Sequence, residues 1–342
     1  MGELNKKREN VLITGITGMV GSHLTDYLID NTNYQIFGLL RWSDSLNNIR
    51  HLAHRINKND RVELIYGDLN DSASLANAIK ISKPDYIYHL AAQSYPQTSF
   101  IAPIETLETN ILGTCRLLEA IKLNAPQAKV HVCASSEVFG RVSKEELPIK
   151  EDCNFHPASP YAISKVGTDL IGRFYAEAYN INIQTTRMFT HTGPRRGDVF
   201  AESTFAKQLA MISKGLIPPV VKTGNLDSLR TYADVRDAVR AYHLLLTKNP
   251  IPGAFYNIGG NHVVKIKEVL DTLIKISGLK DILIETDPVR LRPIDADLQI
   301  PDTSKFNEHT GWEPVIPFQK TMEDLYEYWK NEIELGNTPI NR

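Results

Sequence analysis

The chain has 342 residues, of which 42% are hydrophobic and 23% charged, and a formal net charge of −2. That is enough for one large α/β domain or a domain and a half, with a sizeable core. The near-neutral balance carries no electrostatic footprint for nucleic acid or an anionic membrane surface, and no apolar run approaches bilayer-spanning length.

The polar start "MGELNKKREN" lacks the apolar stretch of a secretion signal. Three cysteines, Cys115, Cys133 and Cys153, are odd in number and match no metal spacing. They read as thiols of a reducing cytoplasm, without a disulfide framework. From there short β-type runs alternate with helical patterns. Strands are predicted over 10–15, 34–41, 61–69, 84–92, 128–136 and 180–189, and helices over 21–31, 71–82 and 106–124. Continuous apolar strands separated by amphipathic helices predict a doubly wound parallel sheet, a Rossmann fold, with ligands beyond the carboxyl ends of its strands. After about residue 190 proline and glycine become frequent and the alternation fades. Residues 1–190 therefore read mainly as a dinucleotide-binding domain. Residues 191–342 read mainly as a smaller substrate-binding α/β region, interleaved with the sheet and ending in a frayed tail.

"TGITGMVG" joins the first strand to the first helix and spaces Gly15, Gly18 and Gly21 as G-x-x-G-x-x-G. The first allows a tight turn, the second lets backbone approach a pyrophosphate, and the third packs helix against strand. The helix start offers N–H groups and partial positive charge to phosphate. At the end of the second strand, "GLLRWSDS" places Arg41 where an acid commonly holds the ribose of NAD. Arg41 suits the extra phosphate of NADP, whereas Asp44 is the acid that would favour NAD. Asp68, after the third strand, is placed to reach the adenine or its ribose, or to cap the next helix.

"SPYAISK" sets Tyr161 and Lys165 four residues apart on one helix face. A phenol ionises near pH ~10, and a neighbouring ammonium lowers that value. Such a pair can take a proton from a hydroxyl while hydride leaves the same carbon. Ser135 and Ser136 end a strand just before Glu137, one carboxylate more than plain oxidation requires. His51 and His54 read as solvated helix residues rather than a metal pair, no metal site is expected, and Trp312 reads as packing.

The stretches "LITGITG", "LRWSDSLNNIRHL", "YGDLNDSASL", "HLAAQSYPQTSF", "SSEVFG", "SPYAISK", "HTGPRRG" and "GNLDSLR" resemble the extended short-chain dehydrogenases/reductases that modify nucleotide sugars. Within that family the chain is most similar to GDP-mannose 4,6-dehydratases, with the GDP-4-keto-6-deoxymannose reductases as a sister group. The resemblance spans residues 10 to 331. It implies Ser135 as the hydroxyl that aligns the substrate, Glu137 as dehydratase acid/base, Tyr161 as base and Lys165 as its partner. It implies cofactor contacts from Gly15, Thr17, Gly18, Met19, Val20, Gly21, Arg41, Asp68, Leu69, Leu90, Ala91, Ala92, Gln93, Ser94, His191 and Arg196, besides Tyr161 and Lys165. Substrate contacts are implied for Ser94, Ser136, Thr190, Arg230 and Arg292, the arginines facing a diphosphate. The implied reaction oxidises carbon 4 of the sugar, eliminates water across carbons 5 and 6, and returns the same hydride to carbon 6. A carboxyl that must be neutral at the moment of water loss benefits from partial burial.

Three departures stand out. Thr190 and Thr204 fall where the resemblance expects asparagine and lysine, Lys207 being the nearest lysine, and Ser135 replaces a commoner threonine. The first two leave open another GDP-sugar, such as a GDP-heptose. A keto-reductase or epimerase is the enzymic alternative, and a non-catalytic cofactor-binding sensor or scaffold is the alternative of another class. The "WSDSLNNIRHL" loop resembles one that reaches a neighbouring subunit's cofactor, so a dimer or tetramer is expected, unless the loop closes on its own chain.

Overall fold

In a computed structural model, which describes residues 8–294 and 296–337, the six apolar runs form parallel strands. The first seven residues and the tail from 338 onward, expected to be polar and frayed, lie outside the described residues. The strands are β1 (Asn10–Thr14), β2 (Gln35–Leu40), β3 (Val62–Tyr66), β4 (Tyr86–His89), β5 (Lys129–Cys133) and β6 (Ile183–Met188). Most of their residues are buried, as a sheet covered on both faces requires. Several predicted runs extend past the observed carboxyl ends, because "GDL", "LAA" and "ASS" continue the apolar pattern into loops.

The helices of this half are α1 (Met19–Asn31), α2 (Ser72–Ser82), the short α3 (Pro96–Ile101) and α4 (Pro103–Leu107), then α5 (Gly113–Asn124) and α6 (Pro160–Tyr179). The helix predicted over 106–124 is interrupted by a π-helical turn at Glu108–Leu112. That turn presents Asn110, whose side-chain amide donates to the Gln93 carbonyl at 2.9 Å and accepts from its N–H at 2.8 Å. The cap of α2 is Asp71, which accepts from Ala73 and Ser74, and not Asp68. Asp68 instead accepts the N–H of Asn70 at 2.9 Å. Ser159 caps α6 by accepting the Ala162 N–H at 3.0 Å, with Pro160 as its first residue.

The rest of the chain supplies β7 (His191–Thr192), β8 (Val220–Thr223), β9 (Leu229–Asp234), β10 (Phe255–Ile258), β11 (His262–Lys265), β12 (Leu283–Thr286) and β13 (Leu298–Gln299). Its helices are α7 (Ala201–Ser213), α8 (Val235–Thr247), α9 (Ile266–Ser277), α10 (Ser304–Thr310) and α11 (Phe318–Glu334). The main sheet runs β10-β6-β5-β4-β1-β2-β3, all parallel. Strand β10 comes from the second half of the chain and pairs Phe255 with Thr185. The strand order reverses at β1, between β2 and β4, which places the ligand crevice at their carboxyl ends.

Among the described residues, three of the four buried clusters hold the layers. Leu24 and Leu28 of α1 meet Val239, Tyr242 and Leu245 of α8 on one sheet face. Leu75, Ile79, Leu117, Ile121 and Tyr175 from α2, α5 and α6 cover the other. Phe205, Leu270, Met322 and Trp329 knit α7, α9 and α11 onto β9. Trp312 is packed as expected, buried against Phe306, with its indole N–H donating to the Asp237 carbonyl at 3.0 Å.

Candidate active site

A cleft of about 540 Å³ opens beyond the carboxyl ends of β1, β4, β5 and β6, walled on its far side by the second half of the chain. At its β1 end the glycine turn leaves room that side chains would fill. Gly15 has φ +73°, and a Cβ on Gly21 would stand 2.3 Å from the Gly15 carbonyl oxygen. No side chain caps α1, so its first-turn N–H groups face the cleft beside Gly18, which suits a pyrophosphate. The chain's own "NNIRHL" segment closes over this turn, Asn48 donating to the Thr17 carbonyl at 2.9 Å. Next to it, His51 meets Asp26 at 2.7 Å and Arg50 pairs with Glu332. His54 contacts the His51 carbonyl at 3.1 Å rather than sharing a ligand with it. At the end of β2, Arg41 and Asp44, the two rivals for the ribose, hold each other at 2.9 Å.

At the β5 end lie the groups with chemistry. Ser135 is buried, and its Oγ accepts the Glu137 N–H at 3.2 Å, which starts a short 3-10 turn over Ser136–Val138. That turn sends Glu137 into the cleft, where Arg292 stands 3.8 Å from its Oε1. Tyr161 and Lys165 enter from the first turns of α6. Burial pushes the Tyr161 phenol up, against the pull of the Ser135 hydroxyl and, more weakly, of Arg196. Lys165 donates to the Cys133 carbonyl at 2.8 Å, and burial holds its own pKa below the usual lysine range.

The opposite wall is cationic. In "GPRRG" both adjacent arginines line the cleft, but they pair differently: Arg195 with Asp26 at 2.7 Å and Arg196 with Glu202 at 3.2 Å. His191 contacts the Phe189 carbonyl at 3.1 Å and is held down to about 4 by burial and by Arg196. Arg230 donates to the Ala296 carbonyl, and Arg230, Arg290 and Arg292 all line the cleft. Thr190 and Thr204 both line it, the Thr204 hydroxyl donating to the Asp198 carbonyl at 2.6 Å and Lys207 pairing with Asp198 at 2.8 Å.

Of the residues expected at the site, Met19, Val20, Leu90, Ala92, Ser94 and Ser136 also line this cleft. Thr17, Arg41, Asp68, Leu69, Ala91 and Gln93 are not among its lining residues. Leu69 is core, and the Ala91 N–H goes to the Thr14 hydroxyl at 3.1 Å. Gln93 spends its amide on Tyr95 and Thr106. Asn48, Tyr95, Phe200, Glu202, Asn225, Tyr232 and Arg290 line it unforeseen. Asn48, Tyr95 and Asn225 fall inside the motif stretches and Arg290 sits beside Arg292 in "RLRP", whereas Phe200, Glu202 and Tyr232 carried no sequence signal.

The parallel sheet, the glycine turn and the Tyr/Lys helix at its carboxyl edge define a nicotinamide-dependent enzyme of the short-chain dehydrogenase/reductase fold. Within that class the chain belongs to the GDP-mannose 4,6-dehydratase family, whose model, "GDP-mannose 4,6 dehydratase", matches residues 12–325. It is 35% identical over 332 residues to GDP-mannose 4,6 dehydratase 1 of Arabidopsis thaliana, covering 94% of this chain and 90% of that one. It is 31% identical over 350 residues to the GDP-mannose 4,6-dehydratase of Yersinia enterocolitica, covering 93% and 92%. Among solved structures it resembles RMD from Pseudomonas aeruginosa complexed with NADPH, at TM-score 0.79 and 28% identity over 94% and 99% of the two chains. It also resembles dTDP-glucose 4,6-dehydratase from Bacillus anthracis in complex with NAD, at TM-score 0.82 and 25% identity over 95% and 98%.

Proposed function

We propose that this chain is an NAD(P)-dependent carbon–oxygen lyase that converts GDP-mannose to GDP-4-keto-6-deoxymannose with loss of water. The observation that carries the reading is one cleft holding Ser135, Tyr161 and Lys165 together with Glu137. Tyr161 takes the proton of the hydroxyl at carbon 4, and Ser135 aligns that hydroxyl by hydrogen bonding. Lys165, fixed on the Cys133 carbonyl, keeps a positive charge beneath the site. A nicotinamide held beside Gly15, Gly18 and Tyr161 would supply the hydride acceptor for carbon 4 and the hydride donor for carbon 6. Once carbon 4 is a ketone, the hydrogen on carbon 5 is acidic. Glu137 removes it and protonates the hydroxyl leaving carbon 6, so the elimination balances with one water released. Arg230 and Arg292 serve the diphosphate.

The glycine turn and the open N-terminus of α1 fit a dinucleotide, and Arg41 favours NADP over NAD. Residues up to 190 serve mainly that cofactor, and residues 191–342 mainly the GDP-sugar. The three thiols are free, in keeping with a cytoplasmic protein. Ile163, Leu170 and Phe174 on α6, with Ile101 and Ile104 beside them, leave apolar side chains exposed, which supports a homo-oligomer. Because threonines stand at 190 and 204, a bulkier GDP-sugar such as a GDP-heptose is the second reading. The test is incubation with GDP-mannose and catalytic NADP in deuterated water, read by mass spectrometry. Loss of one water with one deuterium gained supports dehydration. Untouched GDP-mannose alongside dehydrated GDP-heptose moves the substrate, and turnover of a 4-keto sugar only with added NADPH moves the reaction to a reductase.

A further inference from the structure

One buried acid in the cleft has no part in that scheme. Glu202 sits in the first turn of α7 and is 4% exposed, although it lines the cleft. A buried carboxylate is costly unless paired and hydrogen-bonded. Its partner is Arg196, whose Nε lies 3.2 Å from Glu202 Oε1. Arg196 is constrained on two further sides. Its guanidinium lies 3.4 Å from the centre of the Phe200 ring. Its carbonyl accepts from the Ser203 hydroxyl at 2.8 Å, and Ser203 in turn accepts the Trp329 indole N–H at 2.9 Å. Consecutive residues of one helical turn thus grip both the backbone and the head of this arginine.

Resting on the reading above, we propose that Glu202 is a positioning residue, which holds the Arg196 guanidinium in the cleft it shares with Tyr161 and thereby tunes the electrostatic field there. Arg196 lines the same cleft as Tyr161 and His191; it favours the Tyr161 phenolate against the larger opposing effect of burial, and it adds to the burial that holds His191 down. The other groups facing Tyr161 are the Ser135 hydroxyl, Cys133 and Glu137 from the β5 side, with Lys165 on its own helix. Those near the pair itself are Tyr232 and Arg230 on β9. Glu202 keeps Arg196 in place but also offsets part of its charge, so a change of charge and a change of shape separate the two effects.

Glu202→Gln keeps an acceptor for the Arg196 Nε and removes the negative charge. The acid limb of its kcat profile is expected to move to lower pH by about half a unit or more, with KM for the GDP-sugar within about threefold. Glu202→Ala also removes the acceptor, and the kcat of the folded protein is expected to fall about tenfold or more, beyond any loss of thermal midpoint, with Glu202→Asp intermediate. A Glu202→Gln profile that superimposes on the wild type or moves to higher pH overturns the proposal. A Glu202→Ala variant that loses only thermal stability does so too, because that is what a structural carboxylate would produce. Wild-type protein inactive on every GDP-hexose and GDP-heptose overturns the parent reading, whereas active wild type with unmoved variant profiles overturns this inference alone.

Discussion

Arg41 and Asp44 make cofactor choice a competition whose size can be worked out. The guanidinium is 62% exposed and engages Asp44 through Nε at 3.0 Å and Nη2 at 2.9 Å. An exposed pair of this kind is worth about 0.2–1 kcal/mol. A charge-assisted contact from Arg41 to a 2′-phosphate is worth about 1.5–3 kcal/mol. The phosphate must take the guanidinium from Asp44, so on the proposed reading the expected net preference for NADP over NAD is about 1–2 kcal/mol, or roughly tenfold. Arg41→Ala should therefore weaken NADP about tenfold and leave NAD within about twofold. Asp44→Asn removes both the competitor and a repelling charge, and should tighten NADP by about three- to tenfold. The assay is calorimetric titration of both cofactors at two ionic strengths, since salt screens an exposed contact. Equal weakening of NADP and NAD by Arg41→Ala, or weaker NADP binding by Asp44→Asn, would refute this reasoning.

Glu137→Gln should slow elimination by about 10²- to 10⁴-fold while oxidation at carbon 4 survives, seen as reduced cofactor accumulating without loss of water. If elimination persists, Glu137 only shapes the turn. His89 and His131 are buried, and burial lowers both to about 3. Each stays neutral in the fold but takes up a proton once unfolded, so stability is lost as pH falls below the unfolded value near ~6.5, by up to about 1.4 kcal/mol per histidine per pH unit. Denaturant midpoints that stay flat from neutrality down toward pH ~4 would contradict this. Phe174→Lys should reduce the mass of the proposed homo-oligomer to that of the monomer, as light scattering coupled to gel filtration would report. Unchanged mass would place the interface elsewhere.

The sheet was legible because six apolar runs and their intervening helices obey periodicities that burial on both faces imposes. Strand ends were harder to read, because cleft loops such as Leu90–Ala92 and Ala134–Ser136 are as apolar as the strands they follow. The break at Glu108–Leu112 left no mark on the helical pattern, since the extra residue is justified by what Asn110 bonds in the loop after β4. Glycine spacing and Tyr-x-x-x-Lys announce the nucleotide end and the α6 pair. Glu202 and Phe200 belong to an ordinary amphipathic helix start, and only the fold reveals that this start points into the cleft. The expected electrostatic role of Lys165 also needed coordinates, because four-residue spacing puts two side chains on one face but does not say which acceptor the ammonium takes.

Strand β10 bears on how the protein is made. Residue 255 pairs back to residue 185, so while the chain is being synthesised β6 waits with an unpaired edge until the intervening α7, β9 and α8 segments have emerged. During that interval an exposed strand edge is available to another nascent chain. Substitutions that delay pairing along 183–188 and 255–258 should therefore show up first as insoluble product, well before they register in the stability or turnover of the molecules that do mature.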